Sequence, residues 1–127
     1  MTVSQLTCAC LLLALVSLLS ACGGGVEQQA NALTGGDAER GSVSIRRYGC
    51  GSCHTIPGVT GARSQVGPDL SGLARRVYIA GVLTNSPEHL VAWIENPQAV
   101  DDKTAMPNMG VTALDARDIA AYLYTLR

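Results

Sequence analysis

The chain has 127 residues, 14 of them glycine, with one Trp, four Tyr and no Phe. Nine basic and ten acidic side chains give a formal net charge of −1 at pH 7. That balance argues against a general nucleic-acid binder, which needs a basic excess to neutralise phosphates, and no block of like charge marks a long disordered tail. Aromatic residues are only 4 % of the chain, so a single small domain must find apolar area elsewhere, and an added apolar component is expected.

Residues 1–21 contain no Asp, Glu, Lys, Arg or His. Within them, residues 11–19 (LLLALVSLL) form an apolar run. It is shorter than the roughly 20 residues that cross a bilayer and fits the core of a secretory signal. Leu19-Ser20-Ala21-Cys22 follows and resembles a bacterial lipobox, which implies acylation of Cys22 and its exposure as the new N-terminus. The other readings are a plain secretory signal cut near Ala21 and an uncleaved hydrophobic anchor. Residues 2–10 lack the Lys or Arg usual in such signals. Residues 22–36 are rich in glycine and small polar residues and read as a flexible tether. Residues 37–127 remain as the domain.

Asp37 is a good N-cap, and Ala38, Gly41, Ile45 and Tyr48 recur near helical spacing until Gly49 closes the helix. Residues 55–72 are rich in Gly and Pro and read as loop. Residues 73–83 (LARRVYIAGVL) read as one short helix. Ser86-Pro87 opens a helix that ends at Asn96 before Pro97, with Leu90, Trp93 and Ile94 on one face. Residues 98–111, carrying Met106 and Met109, read as loop. Thr112 and Asp115 resemble a capping box opening a final helix to about Leu126, with the stripe Ile119, Tyr122, Leu123, Leu126. No segment reads as a strand, so the expected class is all-α, three to five short helices.

Five cysteines are present. Cys8 and Cys10 leave with the signal and Cys22 takes acyl chains, so Cys50 and Cys53 remain. They stand as Cys50-Gly51-Ser52-Cys53-His54, the C-x-x-C-H pattern of c-type haem attachment. Each thiol adds to one vinyl group, and the two-residue turn lets both sulfurs reach adjacent vinyls. His54 is then placed under the iron. A redox dithiol uses C-x-x-C without an obligatory His, and zinc needs a second pair of ligands. The only other His is His89. Haem c therefore becomes the expected missing core. The second axial position falls to Met106, Met109 or His89, or stays open for ligand or peroxide chemistry. The methionines also read as apolar gap-fillers.

Residues 37–127 resemble a class I cytochrome c. The resemblance is carried by C50-G-S-C-H54, G67-P68-D69-L70, E95-N96-P97, M106-P-N-M-G110 and the helix containing I119-A-A-Y122-L123. It implies that fold, with its helices around one covalently attached haem. It implies Met106 as second iron ligand: it stands ten residues after Asn96 and four before Gly110, and Met109 satisfies neither spacing. It implies that the Pro68 carbonyl accepts a hydrogen bond from His54, and that Trp93 packs near the Met sulfur, where a plain core role is the other reading. Arg76, with Arg75 beside it as the competing choice, and Thr104 are implied as contacts to the haem propionates. Gly41 and Ile45 are implied to cross Ile119 and Tyr122; an Ile where the family has an aromatic is a departure.

The function so implied is outer-sphere electron transfer, not catalysis. The expected protein is a monomer tethered through acylated Cys22 to the periplasmic face of a bacterial membrane, or soluble in the periplasm. It would pass single electrons between redox partners, a terminal oxidase or a periplasmic dehydrogenase. The single Lys103 and eight Arg argue against docking through a ring of lysines. The alternatives are a haem-based ligand sensor or peroxidase-like enzyme with a dissociable Met, and a fixed subunit of a respiratory complex.

Overall fold

The computed structural model describes residues 25–127; the apolar run of residues 11–19 and Cys22 lie outside them. Local capping chemistry starts three of its helices where the sequence marks them. The Asp37 carboxylate accepts the Arg40 N–H at 2.9 Å and opens α2 (Ala38–Arg47). Ser86 accepts the His89 N–H at 3.3 Å, with Pro87 in the first position of α3 (Pro87–Glu95). Thr112 Oγ1 accepts the Asp115 N–H at 3.2 Å and opens α5 (Ala113–Thr125). Here the capping box is altered. Asp115 does not reach back to the Thr112 N–H, which faces the Tyr48 hydroxyl at 3.5 Å; instead the Thr112 hydroxyl donates to the Asp115 carboxylate at 2.6 Å.

Two further helices correct the sequence reading. α1 (Val26–Thr34) lies inside the segment read as tether. Its own sequence is nearly neutral in hydropathy, so tertiary packing makes it. Ala30 and Thr34 are buried against the rest of the fold, and Gly35 closes the helix in the left-handed conformation with its N–H on Asn31 O. Asn31 Oδ1 also accepts the Ala38 N–H at 2.8 Å, which fixes the corner into α2. α4 (Pro97–Val100) is a single turn at the start of the stretch read as loop.

Residues 73–83 do not form one helix. Leu73–Arg75 make a 3-10 turn, and a small antiparallel hairpin follows, β1 (Tyr78–Ile79) with β2 (Leu83–Thr84). The physical reason lies at its tip. Ala80 and Gly81 both have positive φ, and the Val82 N–H closes a turn on Ile79 O at 3.2 Å. Positive φ at both central residues is the geometry whose twist suits paired strands, and the flanking Val, Tyr and Ile favour extended backbone. The described residues are thus predominantly helical, with two short strands.

The core is built where α2 crosses α5. A Cβ on Gly41 would lie 2.0 Å from the Asp118 carbonyl oxygen and 3.0 Å from Tyr122 Cβ, so only glycine allows this approach. Ile45, the departure noted in the sequence, is fully buried there with Ala116, Ile119 and Ala120. Asp118 is buried too, but every oxygen is satisfied. It accepts the Asp37 N–H at 2.8 Å, Arg40 Nε at 2.8 Å and an Arg40 terminal N–H at 2.9 Å. A buried carboxylate persists only with such partners.

Candidate functional site

α2 ends one turn before the cysteines. Tyr48 caps it, and Gly49 at φ +71° turns the chain sharply. Cys50–Ser52 then wind into a 3-10 turn, with the Cys53 and His54 N–H groups on Cys50 O at 3.2 and 3.0 Å. Gly51 sits against Ala62, whose Cβ would be only 2.8 Å from any added methyl. The loop of residues 55–63 therefore closes directly beneath the motif. Cys50 and Cys53 are half-buried thiols with no disulfide. Burial pushes the Cys50 thiol up.

His54 is held by the next loop. Its Nδ1 lies 2.7 Å from the Pro68 carbonyl oxygen. A carbonyl only accepts, so Nδ1 is the donor, and in the neutral ring Nε2 keeps its lone pair. Gly67 forms the seat of the ring: a Cβ there would lie 2.6 Å from His54 Cε1 and 2.9 Å from Nδ1. The loop is tied to the motif by Gly67 N–H to Cys53 O at 2.7 Å and Leu70 N–H to Thr55 O at 2.9 Å.

Arg76 belongs to this same loop. Its guanidinium donates to the carbonyls of Asp69 and Ser71, one and three residues past Pro68. Arg75 does not share the site; it lines a groove with Leu33 and Arg127. Asn85 holds the segment from behind, donating to Leu73 O at 2.8 Å and Arg76 O at 3.0 Å while accepting from the Tyr124 hydroxyl at 2.7 Å. Burial raises the Tyr124 phenol to about 12.

Thr104 and Met106 form a second group. Thr104 Oγ1 accepts the Met106 N–H at 3.2 Å, and Gln98 donates to the Met106 carbonyl at 2.7 Å. Both backbone groups of Met106 are thereby pinned, and its side chain is half-buried, whereas Met109 is 44 % exposed. Trp93 is also half-buried, unlike its helix neighbours Leu90 and Ile94, which are buried. His89 is exposed and engaged with Thr84, its Nδ1 2.9 Å from Thr84 O. Cys22, the expected acylation site, lies outside the described residues.

Sequence reasoning assigned no role to Gly67, Gln98 or Asn85. Gly67 was visible inside Gly67-Pro68-Asp69-Leu70; the other two act through side-chain bonds across the fold that no local pattern announces. Among the described residues, no cluster of three or more His, Cys, Asp or Glu sits so as to hold a metal ion, so they build no four-ligand zinc site. No helix among them is long and apolar enough to cross a membrane.

No family model and no solved structure matches the chain. It is similar to cytochrome c oxidase subunit 2 of Alkalihalophilus pseudofirmus (strain ATCC BAA-2126 / JCM 17055 / OF4), with 33 % identity over 91 residues. The match covers 71 % of this chain and 26 % of that relative. The chain thus spans about a quarter of the length of the curated protein it matches.

Proposed function

We propose that the protein is a small class I c-type cytochrome that carries single electrons in a respiratory chain, anchored to a membrane through acylated Cys22. One observation carries the reading: an imidazole placed directly after a C-x-x-C turn, its Nδ1 2.7 Å from the Pro68 carbonyl oxygen, which fits the tautomer with its proton on Nδ1 and Nε2 open. A ligand histidine needs that tautomer, and the carbonyl partner strengthens it as a donor to iron.

The residues present fit a haem. Such a group brings four nitrogen ligands of its own, so the chain must supply only two axial donors and a covalent hold. Cys50 and Cys53 would form the thioethers, and His54 and Met106 would be the chain's two iron ligands. The half-buried Cys50, Leu70, Trp93 and Met106 are side chains whose remaining apolar surface a flat apolar cofactor would cover. Bound there, haem c supplies a one-electron Fe(III)/Fe(II) couple. His54 would be held by its bond to Pro68 and Met106 through its two backbone bonds, and a thioether ligand would raise the potential. Arg76 and Thr104 would meet the propionates. With both protein ligands retained, the protein would transfer electrons without catalysing a bond change.

The similarity to an oxidase subunit supports a respiratory setting. It also favours a second reading, in which the protein works as a fixed component of a larger respiratory complex. The deciding experiment is production of the full chain in a host with cytochrome c maturation machinery. The reading expects a red protein whose haem resists acidified-acetone extraction, with ferrous spectra unchanged by carbon monoxide. Colourless, well-folded protein overturns it. Rapid carbon monoxide binding would shift the reading to a sensor or peroxidase-like enzyme. Stable co-purification with membrane subunits would favour the fixed component.

A further inference from the structure

Resting on the lipid-anchored reading just given, we infer that α1 and the groove beside it lie against the bilayer surface, so that the domain rides on the membrane in one orientation. A tether of residues 22–36 would have let the domain stand off and tumble. The structure removes that freedom. α1 begins at Val26 and is built into the fold by buried Ala30 and Thr34 and by the Asn31 bond to Ala38. Only residues 23–25 separate the anchoring cysteine from it. Four Cα–Cα steps reach about 14 Å at full extension. Whatever path they take, the N-terminus of α1 stays within that distance of the acyl chains.

The surface so placed has the chemistry of an interfacial face. Val26 and Leu33 are 39 % and 55 % exposed and, seven residues apart, share one stripe of the helix. Beside Leu33 the groove is lined by Ala74, Arg75, Tyr124 and Arg127. Arg127 donates to Gln29 at 2.7 Å, which holds a guanidinium along the helix. Two exposed apolar side chains on one side of α1, with two arginines in the groove beside Leu33, suit the boundary between acyl chains and phosphate headgroups. Glu27 sits about 100° round the helix from Val26, off the stripe. The acyl anchor supplies the affinity, and this face sets the orientation.

The test uses the full, acylated, haem-loaded chain in vesicles of phosphatidylethanolamine and phosphatidylglycerol. Spin labels are placed in Leu33→Cys and Val66→Cys variants; Val66 is 82 % exposed on the His54 loop. The measurement is collision with oxygen relative to a water-soluble nickel chelate. We expect that ratio to be several-fold higher at position 33 than at 66. Equal ratios at the two positions in vesicle-bound protein overturn the inference. A chain whose Cys22 carries no acyl mass overturns the anchored reading beneath it, and mass spectrometry of the purified protein distinguishes the two failures.

Discussion

Replacing Gly67 with alanine asks whether the His54 ring is held at both of its nitrogens. The new methyl carbon would stand 2.6 Å from Cε1, 2.9 Å from Nδ1 and 3.1 Å from Nε2. Gly67 is not among the positive-φ glycines, so the collision is the whole perturbation. A ring tethered only through Nδ1 swings aside and gives up its bond to Pro68, a loss of about 1 kcal/mol. A ring also bound at Nε2 to iron cannot swing, and overpacking costs about 1–3 kcal/mol. The haem-loaded Gly67→Ala protein should therefore lose about 1–3 kcal/mol, lowering its melting temperature by roughly 5 °C or more for a domain of this size. Thermal unfolding followed at the haem absorption band measures it. Val66→Ala, one residue away and largely exposed, should stay within about 0.5 kcal/mol. If Gly67→Ala melts with the wild type and keeps its spectrum, the ring is not clamped and the ligand assignment fails.

Other residues give separate outcomes. Met106→Ala should abolish the weak far-red band of Met-ligated ferric haem and open the reduced protein to carbon monoxide, while Met109→Ala should do neither. Gly41→Ala would push a methyl into the Asp118 backbone and should destabilise by about 1–3 kcal/mol in urea unfolding, although glycine to alanine in an open helix stabilises. Asp115 is held down to about 2 by hydrogen bonds from Thr112 and Tyr48, with Ser44 and the Arg47 charge adding to them. Its contribution is complete above the ordinary carboxyl value of 3.8 and vanishes as pH falls toward 2. Wild-type stability should drop through that window and Asp115→Asn should be flatter there; parallel curves would refute it. Tyr124→Phe should cost about 1 kcal/mol by leaving Asn85 Oδ1 without its donor.

How much of this was legible follows from the range of each interaction. Asp37, Ser86-Pro87 and Thr112 announced their helices because a cap acts within three residues of itself. The hairpin was missed because Leu73 to Leu83 reads as apolar at either period, and the decision rests on Ala80 and Gly81 taking positive φ. α1 was missed for a different reason. Its stability comes from packing against α5, with Ala30 and Thr34 buried, and from the corner at Asn31, none of which a glycine-flanked polar segment displays. At the site, the Cys50–His54 turn was plain from its spacing. Gln98 on Met106, Asn85 behind Arg76, and Arg40 on buried Asp118 join residues distant in sequence or loop geometry that spacing does not encode.

The Arg127 guanidinium resting on Gln29 of α1 brings the two ends of the folded unit side by side. A module with adjacent ends can hang from another polypeptide by a single stalk, with no need to thread through its host. This architecture is suited to fusion.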